Sequence, residues 1–127
     1  MATRLVVVTA LAVAVAVAVA SSAASAAKPR VLVARVGLHD AFTISLTFPN
    51  GRRVRSVKAG RYTIVVHDHS KVHNFALGSP TEQRRIFTGS VPRVGTRRYT
   101  VRLRPGVYVY ACSAHPQTMN GRFLVRR

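Results

Sequence analysis

The sequence predicts an all-β domain of sandwich or barrel type behind a short exported leader. Three observations carry that reading. Short runs rich in β-branched and aromatic residues recur along the chain and largely alternate in polarity. Clusters of Gly, Pro and Asn separate them. After the first 27 residues no segment keeps a convincing 3.6-residue period.

The leader comes first. Arg4 opens onto a Val/Ala-rich stretch over residues 5–20, and small residues fill 21–27. This is the pattern of a secretory signal, with Ala24-Ser25-Ala26 or Ser25-Ala26-Ala27 as the cleavage motif. Residues 1–27 are read as the signal peptide and 28–127 as one mature domain, exported to the periplasm, cell surface or outside. The alternative is an uncleaved membrane anchor, which this apolar run is slightly too short to form as a helix.

The strands then follow in order at residues 31–36, 42–48, 62–66, 73–77, 99–103, 107–111 and 121–125. Turn signals stand at 49–51, 59–60, 78–80, 92–95, 105–106 and 120–121. Seven to eight strands at this spacing favour an antiparallel sandwich whose inward residues share one core. The chain contains no internal repeat and no linker dividing the mature part.

Composition narrows the chemistry. The 127 residues hold 20 Lys or Arg against 3 acidic residues, a formal net charge of +17. With Asp40, Asp68 and Glu82 as the whole carboxylate supply, paired-carboxylate catalysis and acidic magnesium or calcium sites have almost nothing to use. The excess positive charge attracts acidic proteins or anionic surface polymers with a strength that salt screens. The basic residues are scattered over the chain, which is also how an ordinary solvated surface is built.

One Cys excludes an internal disulfide and a four-cysteine zinc site. An odd thiol in an exported protein must be paired elsewhere, exposed to oxidation or occupied. Cys112 is followed by His115 three residues on and Met119 four further, on a stretch between two strands. With His73 from upstream, the donors are two imidazoles, one thiolate and a weak thioether, the set expected of a trigonal blue-copper site. Zinc also suits two His and a Cys; the thioether favours copper. Taken singly, Cys112 and Met119 are more often core filler.

The sequence here resembles the cupredoxins, specifically small plastocyanin-like or amicyanin-like blue-copper proteins. The likeness is strongest in Gly60-Arg61-Tyr62-Thr63-Ile64-Val65-Val66-His67-Asp68 leading to His73-Asn74-Phe75. It continues in Arg104-Pro105-Gly106-Val107-Tyr108-Val109-Tyr110 leading to Cys112, His115, Met119 and Gly121. The resemblance implies a Greek-key β-sandwich holding one copper ion, Cu(I) or Cu(II), on His73, Cys112, His115 and Met119. It implies that Asn74 ties the His73 segment to the Cys112 loop. The binuclear copper relatives use a second Cys, which this chain lacks. The implied role is electron transfer between redox partner proteins by a monomer, with no enzymatic activity of its own. The basic surface would meet an acidic docking face on the partner, with anionic cell-surface polymers as another associate and no specific nucleic acid.

Two other functions use parts of the same pattern. A copper-handling or storage protein would share the ligands without fast electron exchange, and a polyanion-binding module would depend on the basic surface alone. His67-Asp68-His69, with His39, is the remaining histidine group. It reads as a strand end turning through Asp68 and Ser70 side-chain bonds to their own backbone, and alternatively as a second, weaker metal site.

Overall fold

A computed structural model describes residues 27–127; the predicted leader, apart from Ala27, lies outside the described residues. Nine strands are formed among them: β1 (Arg30–Val36), β2 (Ile44–Thr47), β3 (Ser56–Lys58), β4 (Gly60–Asp68), β5 (Ala76–Ser79), β6 (Arg84–Thr88), β7 (Gly95–Leu103), β8 (Gly106–Ala111) and β9 (Asn120–Arg126). A short 3-10 turn, Leu38–Asp40, sits between β1 and β2. One sheet runs β2-β1-β4-β7 and the other β3-β9-β8-β5-β6.

The two inner faces meet in one core. Leu32, Ala34, Ile64, Val66 and Leu103 of the first sheet join Leu77, Tyr108, Tyr110, Phe123 and Val125 of the second in a single buried cluster. Alternation explains the partition: in β9 Phe123 and Val125 are buried while Arg122, Leu124 and Arg126 are exposed. Each large apolar side chain removed from water contributes about 2 kcal/mol, so this cluster is the main force closing the sandwich.

Several sequence expectations need correction. Strands β3 and β6 were not among the expected seven. Both are sheet edges, and β6 carries Arg84 and Arg85 with no buried position, so neither leaves an apolar alternation. The sheets are not purely antiparallel: β1 pairs parallel with β4, and β3 with β9. Turn signals report only local reversals, whereas these neighbours are brought together by longer connections. Asn120-Gly121 is not a turn; it opens β9, pairing with Ala111 and Tyr110. Gly121 is required for space, because a Cβ there would lie 2.3 Å from the Tyr110 ring. His73 precedes β5 instead of starting it, and Phe42 lies in the loop before β2. Releasing these two residues from strands lets them turn over one end of the sandwich.

Candidate metal centre

Three segments converge at that end. The β4–β5 connection carries His73 and Asn74, the β8–β9 connection carries Cys112, His115 and Met119, and the β1–β2 connection carries Gly37 to Phe42.

The β8–β9 loop is folded on its own backbone. The Cys112 N–H donates to the Met119 carbonyl at 2.9 Å, one step past the last strand pair, Ala111 with Asn120. Within the loop, the N–H groups of His115 and Met119 donate to the carbonyls of Cys112 (3.1 Å) and His115 (2.9 Å). Asn120 closes the base, its Nδ2 donating to the Pro116 carbonyl at 2.8 Å. Residues seven apart in sequence thus start from adjacent strand ends, and Cys112 and Met119 are both fully buried.

His73 is delivered from the other connection, and Asn74 fixes the distance between the two. Its Nδ2 donates to the Gly89 carbonyl (2.7 Å) and Ser113 Oγ (2.8 Å), and its Oδ1 accepts the Ser113 N–H (2.7 Å). A buried amide with its partners supplied stiffens the junction instead of destabilising it.

The third segment orients the imidazole. His73 Nε2 lies 3.2 Å from the Asp40 carbonyl. With Nε2 engaged there, Nδ1 is the nitrogen that faces Cys112 and His115. The turn that presents Asp40 is costly: Gly37, His39 and Asp40 have φ of 67°, 55° and 57°, a left-handed conformation unfavourable by about 1 kcal/mol or more for each non-glycine residue. Gly37 has no alternative, since a Cβ would meet Ser70 at 2.5 Å and His73 at 3.0 Å. Beyond the turn, Phe42 lays its ring against both imidazoles. Centroids stand 5.0 Å from His73 and 4.8 Å from His115, at interplanar angles of 69° and 70°. The ring caps the pair while remaining 61% exposed itself.

At the centre, Cys112 Sγ is 3.8 Å from His73 Nδ1 and 3.7 Å from His115 Nδ1, and the two Nδ1 atoms are 3.1 Å apart. Sulfur and nitrogen bound to one ion at about 2.3 and 2.0 Å, with angles near 120°, stand about 3.7 Å apart. The two sulfur–nitrogen sides of the donor triangle match that spacing, the nitrogen–nitrogen side is shorter than the roughly 3.5 Å that two such bonds at 120° would give, and the donor types suit copper or zinc. His73 and Cys112 are buried and His115 partly exposed, so the pocket is dry on its inner side and reaches solvent through one imidazole.

Among the described residues this is the one group of three or more His, Cys, Asp or Glu side chains close enough to share an ion. His39, His67 and His69 form no such group: His67 Nδ1 pairs with Thr96 Oγ1 at 3.0 Å, and His39 belongs to the strained turn. Asp68 and Ser70 make the expected turn, with Asp68 Oδ1 accepting the Ser70 N–H (3.0 Å) and Ser70 Oγ the Val72 N–H (3.1 Å). Burial pushes the Asp68 carboxyl above its ordinary value of 3.8, against the smaller opposing effects of the Ser70 N–H and of His69, His73 and Arg97. Gly37, Asp40 and Phe42 were not legible in the sequence as parts of the site. Gly37 was not among the turn signals and Phe42 was read as the start of a strand, and nothing in the sequence showed which side chain this segment would bring Asp40 and Phe42 against.

Sandwich and site together define a cupredoxin fold with a two-nitrogen, one-thiolate donor set. No family model and no curated protein matches the sequence. Among solved structures, the copper protein rusticyanin determined at 2.1 Å aligns with a TM-score of 0.58 and 17% identity over 76% of each chain. Reduced rusticyanin at 1.9 Å aligns at 0.56 and 15% identity, over 76% of this chain and 78% of that one. The 1.27 Å structure of rusticyanin from Thiobacillus ferrooxidans gives 0.52 and 17% identity, covering 76% of each chain. The likeness is one of fold.

Proposed function

We propose that the chain is an exported mononuclear blue-copper protein that passes single electrons between partner proteins, its copper held by His73, Cys112, His115 and Met119. The observation that carries this reading is the triangle of Cys112 Sγ and two imidazole Nδ1 atoms at 3.1 to 3.8 Å, drawn from sequence positions up to 42 residues apart. Copper supplies the one-electron couple, and a mixed nitrogen and sulfur set serves both of its oxidation states. The similarity in fold to the copper protein rusticyanin supports the same ion.

The chain's own residues keep the ligands in place. Asn74 and the Asp40 carbonyl fix His73, the strand-end hydrogen bond between Cys112 and Met119 sets the sulfur side, and Phe42 limits water at the imidazoles. Met119, buried beside the Cys112 strand end, supplies the weak thioether. Little has to move when the electron arrives, because each ligand is anchored by backbone or by a buried partner. The exit is the partly exposed edge of His115, against which the exposed ring of Phe42 packs. The chain makes and breaks no bonds in a substrate. Export follows from the leader, and among the described residues no helix is long and apolar enough to cross a membrane.

Addition of Cu(II) to the mature protein is expected to give an intense visible thiolate-to-copper band and reversible one-electron cycling. Cys112→Ser is expected to abolish the band. A full complement of copper without that band, or a band that survives the substitution, overturns the assignment.

A further inference from the structure

A second feature lies away from the metal centre, on the outer face of the five-stranded sheet. Arg53 and Arg55, on the segment entering β3, and Arg122 of β9 line a groove of about 370 Å3 whose floor is Val107, Leu124 and the Phe123 backbone strand. Arg53, Arg55, Arg122, Val107 and Leu124 are all exposed. The groove continues past Val109 and Gly121 into a space of about 450 Å3 that ends at Asn120. Asn120 is the residue that closes the base of the Cys112–Met119 loop. No acidic side chain lines either part. Glu82 is engaged by Arg84 and Arg104, Asp68 is buried in its turn, and Asp40 belongs to the turn against His73.

We propose that this groove docks an extended acidic segment of the protein that exchanges electrons with the chain, with carboxylate side chains alternating with apolar ones. Naming the occupant as the redox partner rests on the function proposed above; the chemistry of the groove does not. Three guanidinium groups with no local carboxylate favour carboxylates, which Arg can hold in paired hydrogen bonds. An apolar floor beneath them rewards side chains that can be buried, which a polyphosphate or a wall polymer lacks, and no exposed aromatic ring is present in the groove for nucleobases to stack on. From Leu124 to Asn120 the groove spans roughly 13 Å at 3.3 Å per residue, room for about four residues of extended chain. A segment seated there ends beside the loop that carries His115, which brings the partner to the electron's exit.

The test uses the full mature chain and a short labelled peptide alternating aspartate and leucine. Binding is compared in the triple variant Arg53→Gln, Arg55→Gln, Arg122→Gln and in a charge-matched control on the opposite sheet, Arg61→Gln, Arg98→Gln, Arg102→Gln. The groove variant is expected to lose about tenfold or more in affinity and the control about twofold, since dispersed surface charges each contribute little. Replacing leucine by serine in the peptide is expected to weaken binding to the parent chain. Equal losses in both triple variants, indifference to the leucine-to-serine change, or a short polyphosphate whose binding falls as steeply in the groove variant would each overturn the proposal. Both triple variants are expected to keep the thiolate-to-copper band of the parent. Because peptide binding needs no copper, failure of the electron-transfer reading would show in the band and failure of the groove in the peptide.

Discussion

At the residue scale, Phe42 and Asp68 mark the difference between a ligand and the groups that hold a ligand still. The Phe42 ring makes two edge-to-face contacts with the imidazoles at about 5 Å, each of a kind that contributes about 0.5–1.5 kcal/mol. In Phe42→Ala, the rate of copper loss to a chelator is expected to rise about fivefold to 150-fold, while the midpoint of metal-free unfolding stays close to the parent's, because the ring is mostly exposed. An unchanged chelation rate would remove Phe42 from the site. Asp68 tests burial itself. Its carboxyl is raised in the folded state, so the folded protein binds that proton more tightly than the unfolded chain does. The favourable contribution is therefore complete below 3.8 and is lost as pH rises through the folded value. Asp68→Asn keeps an oxygen for the Ser70 N–H and carries no charge. Denaturant unfolding of the metal-free protein is expected to show the variant more stable than the parent near neutral pH, with the advantage shrinking as the solution is acidified. An advantage that grows on acidification would reverse the assignment.

At the scale of elements, the two connections that bear His73 and Cys112 are locked together twice. Asn74 bridges them directly with two hydrogen bonds to Ser113 and makes a third to the Gly89 carbonyl, between β6 and β7. Below it, Tyr110, Phe75, Phe87 and Tyr99 form a stacked column with successive centroids 5.4, 6.1 and 3.9 Å apart, joining β8 to the β5 approach, β6 and β7. Tyr110 precedes Cys112 by two residues and Phe75 follows His73 by two, so the column sets the spacing of the strands from which both ligands depart. Asn74→Ala would leave the Gly89 carbonyl and the Ser113 N–H without partners and is expected to cost about 3 kcal/mol in unfolding free energy. It should also broaden or shift the thiolate-to-copper band, which a purely structural residue elsewhere in the core would not do. A stability loss with an unaltered spectrum would make Asn74 a structural residue only.

At the scale of the whole molecule, a charge of +17 with three carboxylates gives a field of one sign over nearly the entire surface. Between roughly 0.01 and 1 M salt the screening length falls from about 30 to about 3 Å. The second-order rate of electron exchange with an acidic partner is expected to fall steeply across that range, whereas exchange with a small neutral reagent should barely change. A partner rate that is flat in salt would show that the charge plays no part in docking. The metal-binding end and the arginine groove lie on different faces of the same small body, joined by the β8–β9 loop.

The class of the fold and the candidate residues His73, Cys112, His115 and Met119 were legible in the sequence alone, because both are written in residue chemistry: strand alternation in residues such as Phe123 to Arg126, and a Cys, His and Met at short spacing between two strands; of the four, the structure groups His73, Cys112 and His115. The tertiary structure alone decided the parallel pairings of β1 with β4 and of β3 with β9, the edge strands β3 and β6, and the departure of His73 from its strand. It also decided that Asp40 and Phe42 would meet the imidazoles. Contacts between residues more than thirty positions apart depend on how two sheets close over a shared core, and no short-range pattern encodes which segment the closure carries over the open end.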